Sequence, residues 1–210
     1  MYSQNGEDKF IMHHLQGYVG SILDIGANDG LTFSNSRLLI ENGWIGTLLE
    51  PSPRAFEKCH SLYEKDAYTI AYNFGISNES GTLEFWDSES HLPGGNDIAL
   101  LSSVPDRLCD RWRNSVAFQP TQASFLTFAD FEENYLTENQ IFDVISIDAE
   151  GYDYDILTQI DLHKYQTKVL CIEWNSNIEL LTLFTNYCKS YGLVEAMRNE
   201  ENVIFVVGEN

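Results

Sequence analysis

Two groups of residues in this sequence have the types and spacing of a chemical site. The first is Asp24-Ile25-Gly26-Ala27-Asn28-Asp29-Gly30, followed one βα unit later by Glu50 in "LLEPSP". The second is Asp148 and Glu150 in "IDAEG", with Glu173 and Asn175 in "IEWN". Glycines just past a strand let backbone approach a ligand closely or take angles a side chain forbids. A carboxylate at the end of the next strand suits the paired hydroxyls of a ribose, each hydrogen bond to a charged acceptor being worth ~1.5–3 kcal/mol. A nucleoside ligand follows from that pairing.

Two nucleoside ligands compete. A dinucleotide requires G-x-G-x-x-G, with its pyrophosphate on a helix N-terminus. Here Gly26 and Gly30 lack the intervening glycine, and Asp24 and Asp29 occupy the place of the pyrophosphate. Negative groups there favour a nucleoside bearing an ammonium and a sulfonium, which describes S-adenosylmethionine. The second group fits the chemistry of that donor. An aliphatic hydroxyl is a weak nucleophile, so a methyl acceptor needs a group to take its proton. Asp148 or Glu150 is the candidate base. Alternatively, Asp148, Glu173 and Asn175 offer oxygen ligands for Mg²⁺ or Mn²⁺, which would favour the alkoxide. Glu150 has a further reading as the cap of the following helix.

These residues need strands to carry them. "SILDI" (21–25), "GTLLE" (46–50), "YTIAYN" (68–73), "FDVISID" (142–148) and "KVLCIEW" (168–174) read as short buried strands. Helical patterns follow at about 34–42, 53–64, 153–160 and 177–190, and another runs over 6–16. That alternation predicts an α/β fold with a mostly parallel sheet and helices on both faces. The last two strands, "GLVEAM" and "NVIFVV", form an antiparallel hairpin, and "GTLEFWD" (81–87) reads as part of another. In such a sheet, ligands bind beyond the carboxyl ends of the strands, where strand order reverses. Both groups of candidate residues stand at such ends.

Composition bounds the rest. Lys and Arg number 12 against 32 Asp and Glu, a net charge of −20. So acidic a surface repels phosphate backbones and anionic membranes, so neither a nucleic-acid partner nor membrane insertion is expected. The 210 residues read as one domain, 1–210, with a probable acceptor-side insert at 88–124; the domain could be excised from a longer protein. Four scattered cysteines without a C-x-x-C pair, and no apparent signal peptide, predict a cytoplasmic protein.

The strings "SQNGEDKFI" (3–11), "ILDIGANDG", "LLEPSP", "GISNESGTLEF" (75–85) and "FDVISIDAEGYDYDIL" (142–157) together resemble the FkbM-type S-adenosylmethionine-dependent methyltransferases. The resemblance implies the Rossmann-like class I methyltransferase sheet of seven strands. It also implies O-methylation of hydroxyls, on sugars or polyketide-like molecules. By the same resemblance, Asp24, Gly26, Asn28 and Gly30 lie along the donor's amino-acid part. Glu50 holds the ribose with Ser52 nearby, residues 73–76 (among them Gly75 and Ile76) flank the adenine, and Gln4 and Asp8 close the donor site.

The expected function is O-methylation of a sugar or glycan hydroxyl. The rivals are a polyketide or lipid-like acceptor, and a non-catalytic donor- or glycan-binding module. Within 88–124, Arg107, Arg111 and Trp112 are candidate acceptor contacts, as is Trp174 further on, since flat apolar faces suit the C–H side of a pyranose. Trp86 and His91 are weaker candidates. An apolar lid would favour the polyketide, and the polar Gly/Asn/Arg-rich insert counts against one.

Overall fold

The computed structural model describes the whole chain except residues 91, 93–96, 108–109 and 209–210, and gives only the backbone at 110 and 111. After α1 (Glu7–His14), the chain alternates β1 (Ser21–Ile25), α2 (Arg37–Glu41), β2 (Ile45–Leu49), α3 (Pro53–Tyr63) and β3 (Thr69–Tyr72). Next come β4 (Gly75–Ile76), β5 (Gly81–Ser88), α4 (Asp110–Arg113), β6 (Phe118–Leu126) and α5 (Phe128–Tyr135). The chain finishes with β7 (Val144–Ile147), α6 (Asp153–Leu157), β8 (Val169–Glu173), α7 (Ile178–Ser190), β9 (Leu193–Arg198) and β10 (Asn202–Val207).

A seven-stranded sheet runs β3-β2-β1-β7-β8-β10-β9. Its first five strands are parallel, and β10 lies antiparallel to both β8 and β9. Every residue of β1, β7 and β8 is buried, as expected for strands covered on both faces. One core face carries Leu23, Ile25, Ile145, Ile147, Leu170 and Ile172 against Phe128, Phe131 and Phe184. The opposite face packs Ile22, Val144, Val169 and Cys171 against Ile11, Leu39 and Trp44. Strand order reverses between β1 and β7, and both groups of candidate residues meet at that point.

Two local readings need correction. The strand at 81–87 does not turn back into a tight hairpin. β5 pairs antiparallel with β6, which closes the insert, in a separate three-stranded sheet ordered β4-β6-β5. The tract 88–124, read as an insert on the acceptor side, therefore ends in a strand of this second sheet. β6 exposes most of its first half, and Pro120 breaks the apolar alternation there, so only Ala123 and Phe125 are buried. The helix α5 opens on Thr127, whose side chain accepts from the Asp130 amide. No helix among the described residues is long and apolar enough to cross a membrane.

Candidate functional site: a carboxylate-lined cavity at the switch point

A cavity of about 240 Å³ opens beyond the carboxyl ends of β1, β2, β7 and β8. Its wall contains Asp24, Gly26, Asn28, Glu50, Gly75, Ile76, Asp148, Glu150, Glu173 and Asn175, all anticipated from the sequence, together with Gln4 and Trp112.

The loop after β1 is built on close backbone approach. Gly26 and Ala27 donate to the Leu49 carbonyl at 2.9 and 3.0 Å, and Asp148 donates to the Ile25 carbonyl at 2.9 Å. Gly26 sits at φ +90°, and a Cβ there would stand 1.8 Å from the Asp148 carbonyl oxygen. The glycine is what lets β1 and β7 meet this tightly. Asn28 follows at φ +48°.

Glu50 is buried and accepts from the amides of Asn28 at 2.8 Å and Ser52 at 2.7 Å, one on each oxygen. Each oxygen keeps a lone pair for a ligand hydroxyl. Burial pushes its acid up to about 8, against those two amides, and the Asp87 and Asp148 carboxylates add to the rise. Asp24 takes 2.5 Å from the Ser36 hydroxyl, and burial raises it to about 6. Asp148 rises to about 8, first through burial and then through the charge of Asp153 and Asp24. Glu173 is pushed well above the usual carboxylate range by burial and by Asp148 and Glu150. A cation brought into the cavity relieves that mutual repulsion.

No side chain caps α6, so the helix-capping role considered for Glu150 is not filled; the Asp153 carboxylate holds the preceding loop, accepting from the Ala149 amide at 2.9 Å and the Gly151 amide at 3.1 Å. Glu150 instead stands at φ +47° in the cavity wall. Positive φ outside glycine costs about 1–2 kcal/mol per residue. Among the described residues that carry it, Asn28, Phe33, Ala99, Glu150 and Asn175 all line this cavity. Strain of this kind clusters where a ligand must be gripped.

Several expected contacts lie elsewhere, each for a local reason. Asp8 is not in the wall. Its carboxylate takes the Ser3 hydroxyl at 2.7 Å and the Tyr2 amide at 2.7 Å, folding the N-terminal segment so that Gln4 reaches the cavity. Ser52 caps α3 through the Ala55 amide and acts on the site only through its own amide on Glu50. Gly30 faces Tyr63 and Cys59, where its lack of a side chain lets the loop pack on α3. Asn73 braces the loop by donating to the Glu50 carbonyl.

Arg107 pairs with Asp155 at 2.7 Å, lies over the Tyr152 ring and stays out of the wall. Trp174 is core, its indole N–H donating to the Asn199 carbonyl, and Trp86 donates to Glu84. The Arg111 side chain and His91 lie outside the described residues.

Sequence reasoning missed other wall residues. Asn35, Glu201 and Asn202 reach the cavity from the α2 approach and the β9–β10 turn. Only the placement of β10 beside β8, which sets Asn202 opposite Glu173, brings the turn there. Glu7 is fully buried, accepts from the side chains of Asn199 and Asn202, and takes the Asn5 amide. It clasps the N-terminal segment to that turn. The insert contributes an apolar wall of Leu92, Ala99, Leu100, Leu101, Val104 and Trp112 despite its polar composition. It is stitched down where Asn28 Nδ2 donates to the Ile98 carbonyl at 3.0 Å and Ser103 Oγ to the Glu150 carbonyl at 2.7 Å.

Solved structures share this architecture. The chain is similar to a precorrin-6y C5,15-methyltransferase from Geobacter metallireducens, with 10% identity, TM-score 0.50, and coverage of 97% of this chain and 87% of that one. It is similar to a ribosomal protein L11 methylase from Lactobacillus delbrueckii subsp. bulgaricus, with 9% identity, TM-score 0.51, and coverage of 95% and 74%. A human methyltransferase 10 domain containing protein matches at 10% identity and TM-score 0.50, covering 100% and 85%. At such identities these likenesses establish the fold alone, the class I methyltransferase sheet. No curated protein matches the sequence. The sequence itself matches the family described as "Methyltransferase FkbM domain" over residues 24–192, from Asp24 near the end of β1 to the turn after α7. The chain therefore belongs to the FkbM methyltransferase domain family, whose fold takes S-adenosylmethionine as methyl donor.

Proposed function

We propose that the chain moves the methyl group of S-adenosylmethionine to a hydroxyl oxygen of a sugar or glycan, with Asp148 as the proton acceptor. The observation that carries this reading is a single cavity wall holding both the donor loop, from Asp24 to Asn28 with Glu50, and the carboxylate of Asp148. The acceptor oxygen attacks the methyl carbon in line, and the C–S electrons return to sulfur. The hydroxyl proton passes to Asp148. Alignment of oxygen, carbon and sulfur supplies much of the rate. A base lifted towards neutrality can hold the proton that the reaction releases.

Asp148, Glu150 and Glu173 present carboxylate oxygens within 4.8 Å of one another, a donor set that fits Mg²⁺ or Mn²⁺. Asn175 stands in the same wall. An ion held there would lower the affinity of the acceptor hydroxyl for its proton. The apolar wall formed by the insert favours a second acceptor class, a polyketide or lipid-like alcohol.

The deciding experiment follows S-adenosylhomocysteine release with panels of glycosides and of polyketide alcohols, with and without chelator. Product with glycosides that survives chelation supports the reading as stated. Loss on chelation, restored by Mn²⁺, transfers activation to the metal. Product with the polyketide panel alone moves the acceptor class. No product from either panel, with the donor bound, leaves a binding module.

At a pH of about 9, above the acid raised to about 8, Glu50→Ala is expected to weaken S-adenosylhomocysteine by about 10- to 100-fold in calorimetry, the loss of one charged hydrogen-bonding partner. Unchanged affinity would remove the ribose assignment.

A further inference from the structure

Asn202 stands in the cavity wall at the start of β10, only 6 % exposed, and its side-chain oxygen has no hydrogen-bond partner among the described residues. A buried amide oxygen is costly to leave unpaired, so an orphan of this kind in a cavity wall points to a donor on the ligand. The other polar groups of the residue are engaged. Its amide donates to Asn199 Oδ1 at 2.7 Å, its carbonyl accepts from the Asn199 amide at 3.0 Å, and its side-chain nitrogen donates to Glu7 Oε1 at 3.0 Å. Glu7 sets the orientation. It accepts from the side chains of Asn199 and Asn202 on one oxygen and from the Asn5 amide on the other, so it can face only the nitrogen of the Asn202 side chain. The Asn202 oxygen is thereby turned away from Glu7.

The turn that carries Asn202 is fastened to the end of β8. The Glu201 carbonyl accepts from the Trp174 and Asn175 amides at 2.7 and 3.1 Å, and the Ser176 hydroxyl donates to the Glu200 carbonyl at 2.9 Å. Asn202 is the antiparallel partner of Glu173, whose carboxylate groups with those of Asp148 and Glu150. Residues paired in this way carry their side chains on one face of the sheet, about 5 Å apart. An oriented, neutral hydrogen-bond acceptor thus stands next to the carboxylates at which the hydroxyl reacts.

Resting on the reading of the chain as a hydroxyl methyltransferase, we infer that Asn202 is a specificity-determining contact that accepts from a second hydroxyl of the acceptor, and that Glu7 is the positioning residue that keeps its oxygen turned to the substrate. The acceptor is then a polyol, a sugar with a free hydroxyl beside the one methylated. An isolated alcohol leaves the buried oxygen unpaired. A site built to bond a hydroxyl rejects the analogue lacking it more strongly than an apolar pocket rejects a missing methylene.

The test measures methyl transfer by the full chain to the best glycoside of the panel above and to its monodeoxy analogues, one for each hydroxyl that is not methylated. With the wild type, loss of one such hydroxyl is expected to lower kcat/KM at least about tenfold. Asn202→Ala should lower the parent glycoside to the level of that analogue and leave the analogue within about twofold, so that their ratio falls towards one. Glu7→Gln, which keeps only one accepting oxygen, should narrow the same ratio without touching the substrate. Both variants should bind S-adenosylhomocysteine as the wild type does, which reports that they are folded. A merely structural role would slow both acceptors alike; an unchanged ratio therefore overturns the inference, as does a wild type indifferent to every deoxy position. Weakened S-adenosylhomocysteine binding with the ratio intact would place Asn202 on the donor and overturn it too. If Asn202→Ala does not fold, Asn202→Ser, which keeps a donor for Glu7, and the wild-type deoxy series decide. No product with any glycoside removes the reading on which the inference rests, and the inference with it.

Discussion

Asp148→Asn is expected to lower turnover by about 10²- to 10⁴-fold, the range for removing a positioned general base, while S-adenosylhomocysteine still binds. The amide nearly preserves the shape of the side chain and keeps the backbone bond from Asp148 to the Ile25 carbonyl. The pH profile separates chemistry from structure. The carboxylate is the working form, and its acid is raised to about 8 by burial and by neighbouring acids. Wild-type rate should therefore climb with pH through about 8 and then level. The variant should lack that limb. A bell or plateau unchanged by the substitution, at near-normal turnover, would exclude Asp148 from proton transfer and from metal binding alike.

Gly26→Ala is expected to be the most damaging glycine-to-alanine change among the described residues. Its φ of +90° is strained for any side chain, and the new Cβ would lie 1.8 Å from a backbone oxygen, which cannot rotate away. Relief requires β1 and β7 to separate at the centre of the sheet. A loss of at least about 3 kcal/mol follows, toward the upper end of single-site effects, readable as a fall in the urea midpoint with loss of donor binding. Gly17→Ala is the control, since it has φ +78° but nothing within 4 Å. It should cost only the backbone term of about 1–2 kcal/mol. Equal effects at the two positions would mean that the close approach is unimportant.

What the sequence made legible was the frame. Runs of apolar residues ended by Gly, Asp or Glu located β1, β2, β7 and β8 to within two residues, because strands buried on both faces leave little compositional ambiguity. The acids at their ends were then placed by topology, so Asp24, Glu50, Asp148 and Glu173 converge as expected. Residues whose roles depend on distant partners were harder to read. Asp8 and Ser52 belong to recognisable motifs, yet their side chains hold backbone amides instead of facing the ligand. Arg107 looked like an acceptor contact until its partner, Asp155, was placed beside it. Asn202 lies in a polar turn with no local signal, and only β10 pairing with β8 delivers it to the cavity. The insert misled by composition, because its polar residues and its wall-forming leucines alternate within a few positions.

The Glu7 clasp has a practical corollary. The segment it anchors starts beside the cavity, since Gln4 already stands in the wall, whereas β10 begins opposite Glu173 and ends opposite the start of β8, at the far edge of the sheet. Gln4 and the last residues of β10 thus lie toward opposite ends of the sheet's strands. A bulky group joined close to Gln4 would crowd the opening of the cavity and compete with the segment that Glu7 secures.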